Sequence, residues 1–200
     1  MNEKYEINEL PLGALVPFKN HPFKVIENEE LTALAQSIKE SGVLVPALAR
    51  PAGDRYELIS GHRRLAACKL LGLPTIPVIV RDLTDAEAII TMVDANLQRE
   101  HILPSEKAFA YKMKMEAMKH QGKTSRQVGT MSRTDEEIAK ESKDSARQIQ
   151  RYIRLTNLIP DILDMVDNKE IALTPAVELS YLTQWEQQCL YNIMQMDGAT

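Results

Sequence analysis

Apolar and polar residues alternate along this chain in two ways, and the change between them divides it. In "EELTALAQSIKESG" Leu31, Leu34, Ala35 and Ile38 fall on one helical face, and Gly42 follows as a stop. "VPALAR" and "RYELIS" read as strands flanking Pro51, Ala52, Gly53 and Asp54, a hairpin turn. The second strand runs through Ser60 and Gly61 into a helix that starts at or near His62 and stops at Gly72. "LPTIPVIV" is a short strand whose Pro77 predicts an edge or an irregularity. Thr84 can cap a further helix carrying Ala88, Ile89, Met92 and Val93. The first half is therefore expected to be α+β.

Beyond it the strand signal fades. Pro104, Ser105 and Glu106 open a helix carrying Ala108, Tyr111, Met115 and Met118. "HQGKTSRQVGTMSR" is a loop or a weak helix over 125–128, and further helices are expected near 161–167 and 175–182. The pattern predicts an α+β domain over 1–103, an all-α domain over 104–182, and the start of a C-terminal helix or linker over 183–200. That last segment reads as a helix cut short, so a further domain is expected to be missing. No internal repeat is visible.

Within the helical half, "TDEEIAKESKDSARQIQRYIRL" has the pattern of a helix-turn-helix. Thr134 and Glu137 form a capping-box pattern. Ile138 and Ala139 face inward, Ser142, Lys143 and Asp144 make the turn, Ser145 caps the second helix, and Ile149 and Ile153 pack it back. Lys143 occupies the turn position that commonly holds glycine, where a left-handed conformation would cost roughly 1 kcal/mol. The second helix is expected to expose Ser145, Arg147, Gln148, Gln150, Arg151 and Arg154. Glutamine can pair with adenine, and arginine with guanine or phosphate. Gln148 and Arg151 are the candidates for base edges; Lys143 and Arg154 are the candidates for phosphates. Two packed helices with a solvated polar face are the plain alternative.

Composition narrows the class. With 44% hydrophobic and 26% charged residues in 200, the chain is an ordinary globular sequence. No apolar run approaches membrane-span length and the N-terminus is acidic rather than signal-like, so a cytoplasmic, nucleoid- or plasmid-associated protein is expected. Cys68 and Cys189 show no CxxC spacing and read as packing residues; His21, His62, His101 and His120 are too scattered for zinc. Net charge is −4, against attraction to nucleic acid by the whole surface. Its distribution is uneven. Lys112, Lys114, Lys119, Lys123, Arg126 and Arg133 face a single acid, Glu116, and the stretch from Ser145 to Leu155 has arginines but no acid. A local nucleic-acid face follows.

A second cluster concerns anions. Arg63 and Arg64 sit in the first turn of the helix from His62, where the helix dipole disfavours cations unless an anion is near. Gly61 permits close backbone approach, and the free N–H groups of the helix start would meet a phosphate. Arginines on a solvated face, salt-bridged elsewhere, are the alternative. "DANLQRE" supplies a further amide, a glutamine and an arginine at the end of the next helix.

Taken in order, "LPLGALVPFKNHPF", "SGVLVPALAR", "SGHRR", "NLQRE" and the helix-turn-helix resemble the ParB family of partition proteins, from about Ile7 to Leu182. The resemblance implies a sulfiredoxin-like N-terminal domain that binds CTP with Mg2+, and a helical domain that binds a palindromic site on double-stranded DNA as a homodimer. By it, Leu44, Val45 and Pro46 would lie along the cytosine, and Gly61, His62, Arg63 and Arg64 would form the phosphate-binding motif. Asn96 would sit near the metal; Gln98 and Arg99 would complete the pocket and couple it to the next helices. The implied role is partition of a plasmid, a mobile element or a chromosome. Two positions depart from the family. His62 and Ala95 stand where glutamate is usual, and the second glutamate is expected near magnesium and hydrolysis chemistry. Nucleotide binding is expected, and slow CTP hydrolysis stays open. A sulfiredoxin enzyme is not expected, because Gly61 stands where its cysteine would be and Cys68 lies two helical turns further on, and no converging carboxylates suggest a nuclease. A DNA-binding transcriptional regulator that needs no nucleotide is the alternative. Contact with a ParA-type ATPase is expected through a surface other than a basic N-terminal arm, or not at all, since Lys4 is the one base before Ile7.

Overall fold

The computed structural model describes residues 6–19, 21–23, 25, 27–99, 101–122 and 134–197, and these form two compact units that divide between Asn96 and Leu97. The expected loop or helix at 125–128, with Lys123, Arg126 and Arg133, lies outside the described residues.

The first unit holds strands β1 (Ile7–Pro11), β2 (Leu15–Pro17), β3 (Ala47–Ala52), β4 (Arg55–Ser60) and β5 (Thr75–Val80). Its helices are α1 (Glu29–Ser41), α2 (His62–Leu70) and α3 (Asp85–Leu97), whose last residue falls in the second unit. The strands form one mixed sheet in the order β1-β5-β3-β4-β2. β3 and β4 make the expected antiparallel hairpin; β5 runs parallel to β3, and β2 parallel to β4. Period-two alternation buries Ala47 and Ala49 in β3 and Ile76 and Val78 in β5. Leu31, Ala35 and Ile38 of α1 and Leu65, Ala67 and Cys68 of α2 pack with them. Full burial of one such aliphatic side chain as Leu31 contributes roughly 1.5–3 kcal/mol. Helix ends follow local chemistry. Asn28 caps α1 by accepting from Leu31 N–H at 3.1 Å, and Glu87 and Thr84 bond reciprocally at the start of α3.

Two sequence expectations change here. The apolar pattern does not predict β1 and β2, which are short and rich in Leu and Pro. β5 is not an edge strand but lies between β1 and β3. Proline is tolerated because the ladder with β3 starts at Val78, so Pro77 is paired only with β1.

The second unit is helical as described: α4 (Pro104–Gly122), α5 (Thr134–Glu141), α6 (Ala146–Arg154), α7 (Pro160–Asp167), α8 (Leu173–Leu179) and α9 (Gln184–Asp197). Ala108, Leu155, Ile162 and Ala176 centre one core; Tyr111, Ile138 and Ile149 centre another under the helix-turn-helix. Gln187 of α9 is fully buried with its amide satisfied: it accepts from Ile159 N–H at 2.8 Å and donates to the carbonyls of Asn157 and Leu182. With Tyr191 and Met194 against the core, α9 is an integral element of this unit.

Candidate functional site

The anion-ready feature of the first unit is the junction of β4 and α2. Gly61 is the N-cap of α2 at φ 105°, and no side chain caps the helix. A Cβ there would lie 2.9 Å from the Ala47 Cβ and 3.2 Å from its Cα, so only glycine fits both the backbone and the space. The uncapped N–H groups and the absence of acid in the first turn suit an anion. The two arginines are engaged differently. Arg63 pairs with Glu30 of α1 at 3.1 Å, across a half-exposed surface. Arg64 Nη1 donates to the carbonyl of Pro46 at 2.6 Å and to that of Val45. Burial pushes its guanidinium below the ordinary arginine value. Arg64 thus holds residues 44–46 next to the helix start, with Leu44 and Val45 side chains 80% and 65% exposed. Exposed apolar side chains beside a phosphate-ready helix start suit a nucleoside whose base needs an apolar wall.

His62 is buried, its ring 3.8 Å from that of His21, whose Nδ1 donates to the Phe23 carbonyl. Asn96 is also buried, and its amide nitrogen donates to Met92 of the same helix at 2.8 Å. Ala95 beside it is exposed. Among the described residues no three His, Cys, Asp or Glu side chains converge on a metal position. One buried amide is not the oxygen set magnesium takes, so the residues present do not form a magnesium site by themselves. Cys68 lies in the core with its thiol pushed up by burial, as suits a packing residue.

In the second unit α5 and α6 form the expected helix-turn-helix. Ile138 and Ile149 are fully buried between them, and Ser145 caps α6 by accepting from Gln148 N–H at 3.3 Å. The turn does not need a glycine, because among the described non-glycine residues only Lys169 has positive φ. Lys143 therefore avoids the left-handed cost. Asp144 fixes the turn instead. Its Oδ2 accepts from Tyr111 Oη at 2.6 Å and from Lys107 Nζ at 2.9 Å, while Ser142 Oγ accepts from its N–H. Burial, then the bond to Asp144, pushes the Tyr111 phenol well above its ordinary range. Together with Arg99, Lys140 and Lys143 these residues line a cavity of about 350 Å3.

The outer face of α6 is narrower than expected. Lys143, Ser145 and Arg147 are exposed, with Gln148 and Arg151 half-exposed beside them. Gln150 and Arg154 are corrections. Gln150 is turned inward and donates to buried Asp135 at 3.0 Å, tying α6 to α5. Arg154 donates to the Ser180 carbonyl at 2.8 Å and to its hydroxyl at 3.2 Å, and lies 4.0 Å over the Tyr181 ring. Lys114, counted among the basic approach residues, is 1% exposed and paired with Glu141 at 2.7 Å.

The family model of the ParB N-terminal domain matches residues 1–97. The chain is 37% identical over 81% of its length to the chromosome-partitioning protein Spo0J of Thermus thermophilus, covering 55% of that protein. It is 34% identical over 96% of its length to the probable chromosome 1-partitioning protein ParB of Deinococcus radiodurans, covering 61% of it. It superposes with a TM-score of 0.58, at 25% identity, on the C-terminally truncated chromosome-partitioning protein ParB of Caulobacter crescentus complexed to the centromeric parS site, covering 96% of this chain and 94% of that one.

The chain belongs to the ParB family.

It spans little more than half the length of these curated ParB relatives. The expected α+β ParB domain followed by a helical region is the fold observed. Of the residues assigned by family resemblance, the structure brings together residues 44–46 with Gly61 and Arg64. Gln98 and Arg99 belong to the second unit; Gln98 is exposed and Arg99 half-buried. Contacts that sequence reasoning did not foresee are Glu30 with Arg63, His21 with His62, and the trio Lys107, Tyr111 and Asp144. Aspartate just before a serine cap was the available sign for the last.

Proposed function

We propose that this chain is the nucleotide- and DNA-binding part of a ParB-type partition protein. In this reading α6 enters the major groove of double-stranded DNA, two copies take the two halves of a palindrome, and CTP at residues 61–64 governs how the copies close. The single observation that most supports it is the capped helix α6. Its exposed face carries Arg147 beside Gln148 and Arg151, Lys143 and Ser145 stand exposed in the turn and cap before it, and α6 contains no acid. The similar Caulobacter protein, complexed to its centromeric parS site, supports a centromere-like DNA as the partner.

At the nucleotide site the uncapped start of α2, Gly61 and the two arginines would hold phosphates, with Leu44 and Val45 against the base. Binding would require Arg63 to leave or share Glu30. No hydrolytic step is derived, because Ala95 supplies no carboxylate and the residues present form no metal site. Partner ATPase and self-association belong to the same proposal through family membership alone. A second reading, DNA binding without nucleotide, is favoured by one observation: Nη1 of Arg64 is already engaged by two backbone carbonyls.

Fluorescence anisotropy with a parS-type palindrome and a scrambled duplex, with calorimetric titration of CTP, tests both readings. Lys143→Ala should weaken both duplexes alike and reduce the salt slope by about one unit. Equal affinity of the wild type for both duplexes at all salt concentrations would refute the DNA reading. Absence of CTP heat with selective DNA binding retained would favour the second.

A further inference from the structure

Arg151 does not stand alone on α6. Its Nη2 donates to Oγ1 of Thr174, in the first turn of α8, at 2.6 Å, and its Nη1 donates to Oε1 of Gln148 at 3.2 Å. A guanidinium has no acceptor, so the Gln148 atom that faces it must be the oxygen. The amide nitrogen of Gln148 is thereby turned away from Arg151 with its two N–H donors. Pairing with adenine requires one donor and one acceptor from the same amide. With one lone pair of Oε1 engaged by Arg151, Gln148 turns its two N–H donors outward, and the remaining N–H groups of Arg151 add more donors.

We infer that Thr174, Arg151 and Gln148 form one reading unit that selects guanine and disfavours adenine at its base pair, with Thr174 as the positioning residue. The inference rests on the DNA-binding reading above and deepens it. Guanine presents N7 and O6, two acceptors, to the major groove, whereas adenine places its N6 amino donor where O6 would be. A surface on which donors predominate matches the first and sets donors against the N6 amino group of the second. Thr174 matters because an arginine anchored at one end loses less side-chain freedom when it binds a base. It lies on a different helix from α6, so the unit also fixes how α8 and the recognition helix share the groove edge.

The test is sequencing of random duplexes retained by the full chain, for the wild type, Thr174→Val, Thr174→Ser, Arg151→Lys and Gln148→Ala. The wild type should enrich guanine at one position of each half-site. Thr174→Val, which keeps shape but removes the hydroxyl, should reduce that enrichment by roughly tenfold while leaving affinity for random DNA unchanged. Thr174→Ser should restore it, which a packing role for the methyl group would not predict. Arg151→Lys should lose it, and Gln148→Ala should relax the exclusion of adenine at the same position. Undiminished guanine preference in Thr174→Val, or adenine enriched at that position in the wild type, would overturn the inference while the DNA reading stands. A wild type that selects no sequence would overturn both.

Discussion

Replacing Gly61 with alanine separates two costs that usually come together. Gly72, at φ 65°, and Gly61, at φ 105°, both occupy backbone that L-residues avoid, but a Cβ at Gly72 would meet nothing within 4 Å. Gly72→Ala should therefore cost only the conformational term, about 1–2 kcal/mol. Gly61→Ala carries that term and a collision as well. Its Cβ would stand 2.9 Å from the Ala47 Cβ and 3.2 Å from the Ala47 Cα, and Ala47 is fully buried. A strand backbone cannot swing aside as a long side chain can, and forcing a methyl into such a core typically costs about 1–3 kcal/mol more. The sum is roughly 2–5 kcal/mol, enough to lower the midpoint of a domain of this size by roughly 8 °C or more. Gly13→Ala, with nothing within 4 Å and no positive φ, is the control and should change little. Urea unfolding followed by far-UV circular dichroism reads both units, so the shift caused by Gly61→Ala should appear there as an earlier transition. The single tryptophan, Trp185 in α9, reports the second unit by fluorescence and should be unmoved. Equal destabilisation by Gly61→Ala and Gly72→Ala would refute the claim that the β4–α2 junction is sterically closed to a side chain.

Asp144→Ala should destabilise the second unit by about 2–4 kcal/mol, since it removes the acceptor of both Tyr111 and Lys107; Tyr111→Phe should cost about 1 kcal/mol, and Trp185 fluorescence in urea measures both. The N–H groups of Thr84 and Thr183 hold the exposed carboxyls of Glu87 and Glu186 below the ordinary glutamate value of 4.5. Their folded values are depressed, so the capping they provide is present above 4.5 and is lost as pH falls through the lower folded values. Amide exchange in the first turns of α3 and α9 should accelerate across that window relative to each helix centre, and Glu87→Gln should abolish the pH dependence in α3 alone. Ala95→Glu should raise CTP turnover by about 10²–10⁴-fold without much tighter binding, measured as phosphate release with DNA present; no change would mean that a carboxylate at this exposed position takes no part in turnover.

Much of this fold was legible because its elements end on strong local chemistry. Gly42 and Gly72 stop α1 and α2, the turn at Gly53 and Asp54 joins β3 to β4, and Ser145 starts α6. β1 and β2 were not legible: their pairing is with strands far along the chain, and few-residue runs carry no period. At the site, residue types pointed to anion and DNA chemistry, but side-chain direction did not follow from spacing. Gln150 and Arg154 share the polar face of α6 in any helical projection, yet Asp135 on α5 and Ser180 just after α8 engage both. Arg64 likewise meets two carbonyls of residues 44–46, a contact set by the tertiary fold. Lys143 shows the converse. Its expected strain vanished because Asp144, Tyr111 and Lys107 fix the turn by another route.

Arg64 joins the loop at residues 44–46 to the start of α2, and in the proposed function nucleotide binding depends on that link. The most direct measurement is calorimetric CTP titration of the wild type and Arg64→Ala, paired with anisotropy on a parS-type palindrome and a scrambled duplex. The wild type should bind CTP and prefer the palindrome, while Arg64→Ala should lose about 2–3 kcal/mol of CTP affinity and keep its DNA preference. Unchanged CTP affinity in Arg64→Ala, or a loss of DNA preference equal to the loss of CTP affinity, would contradict it.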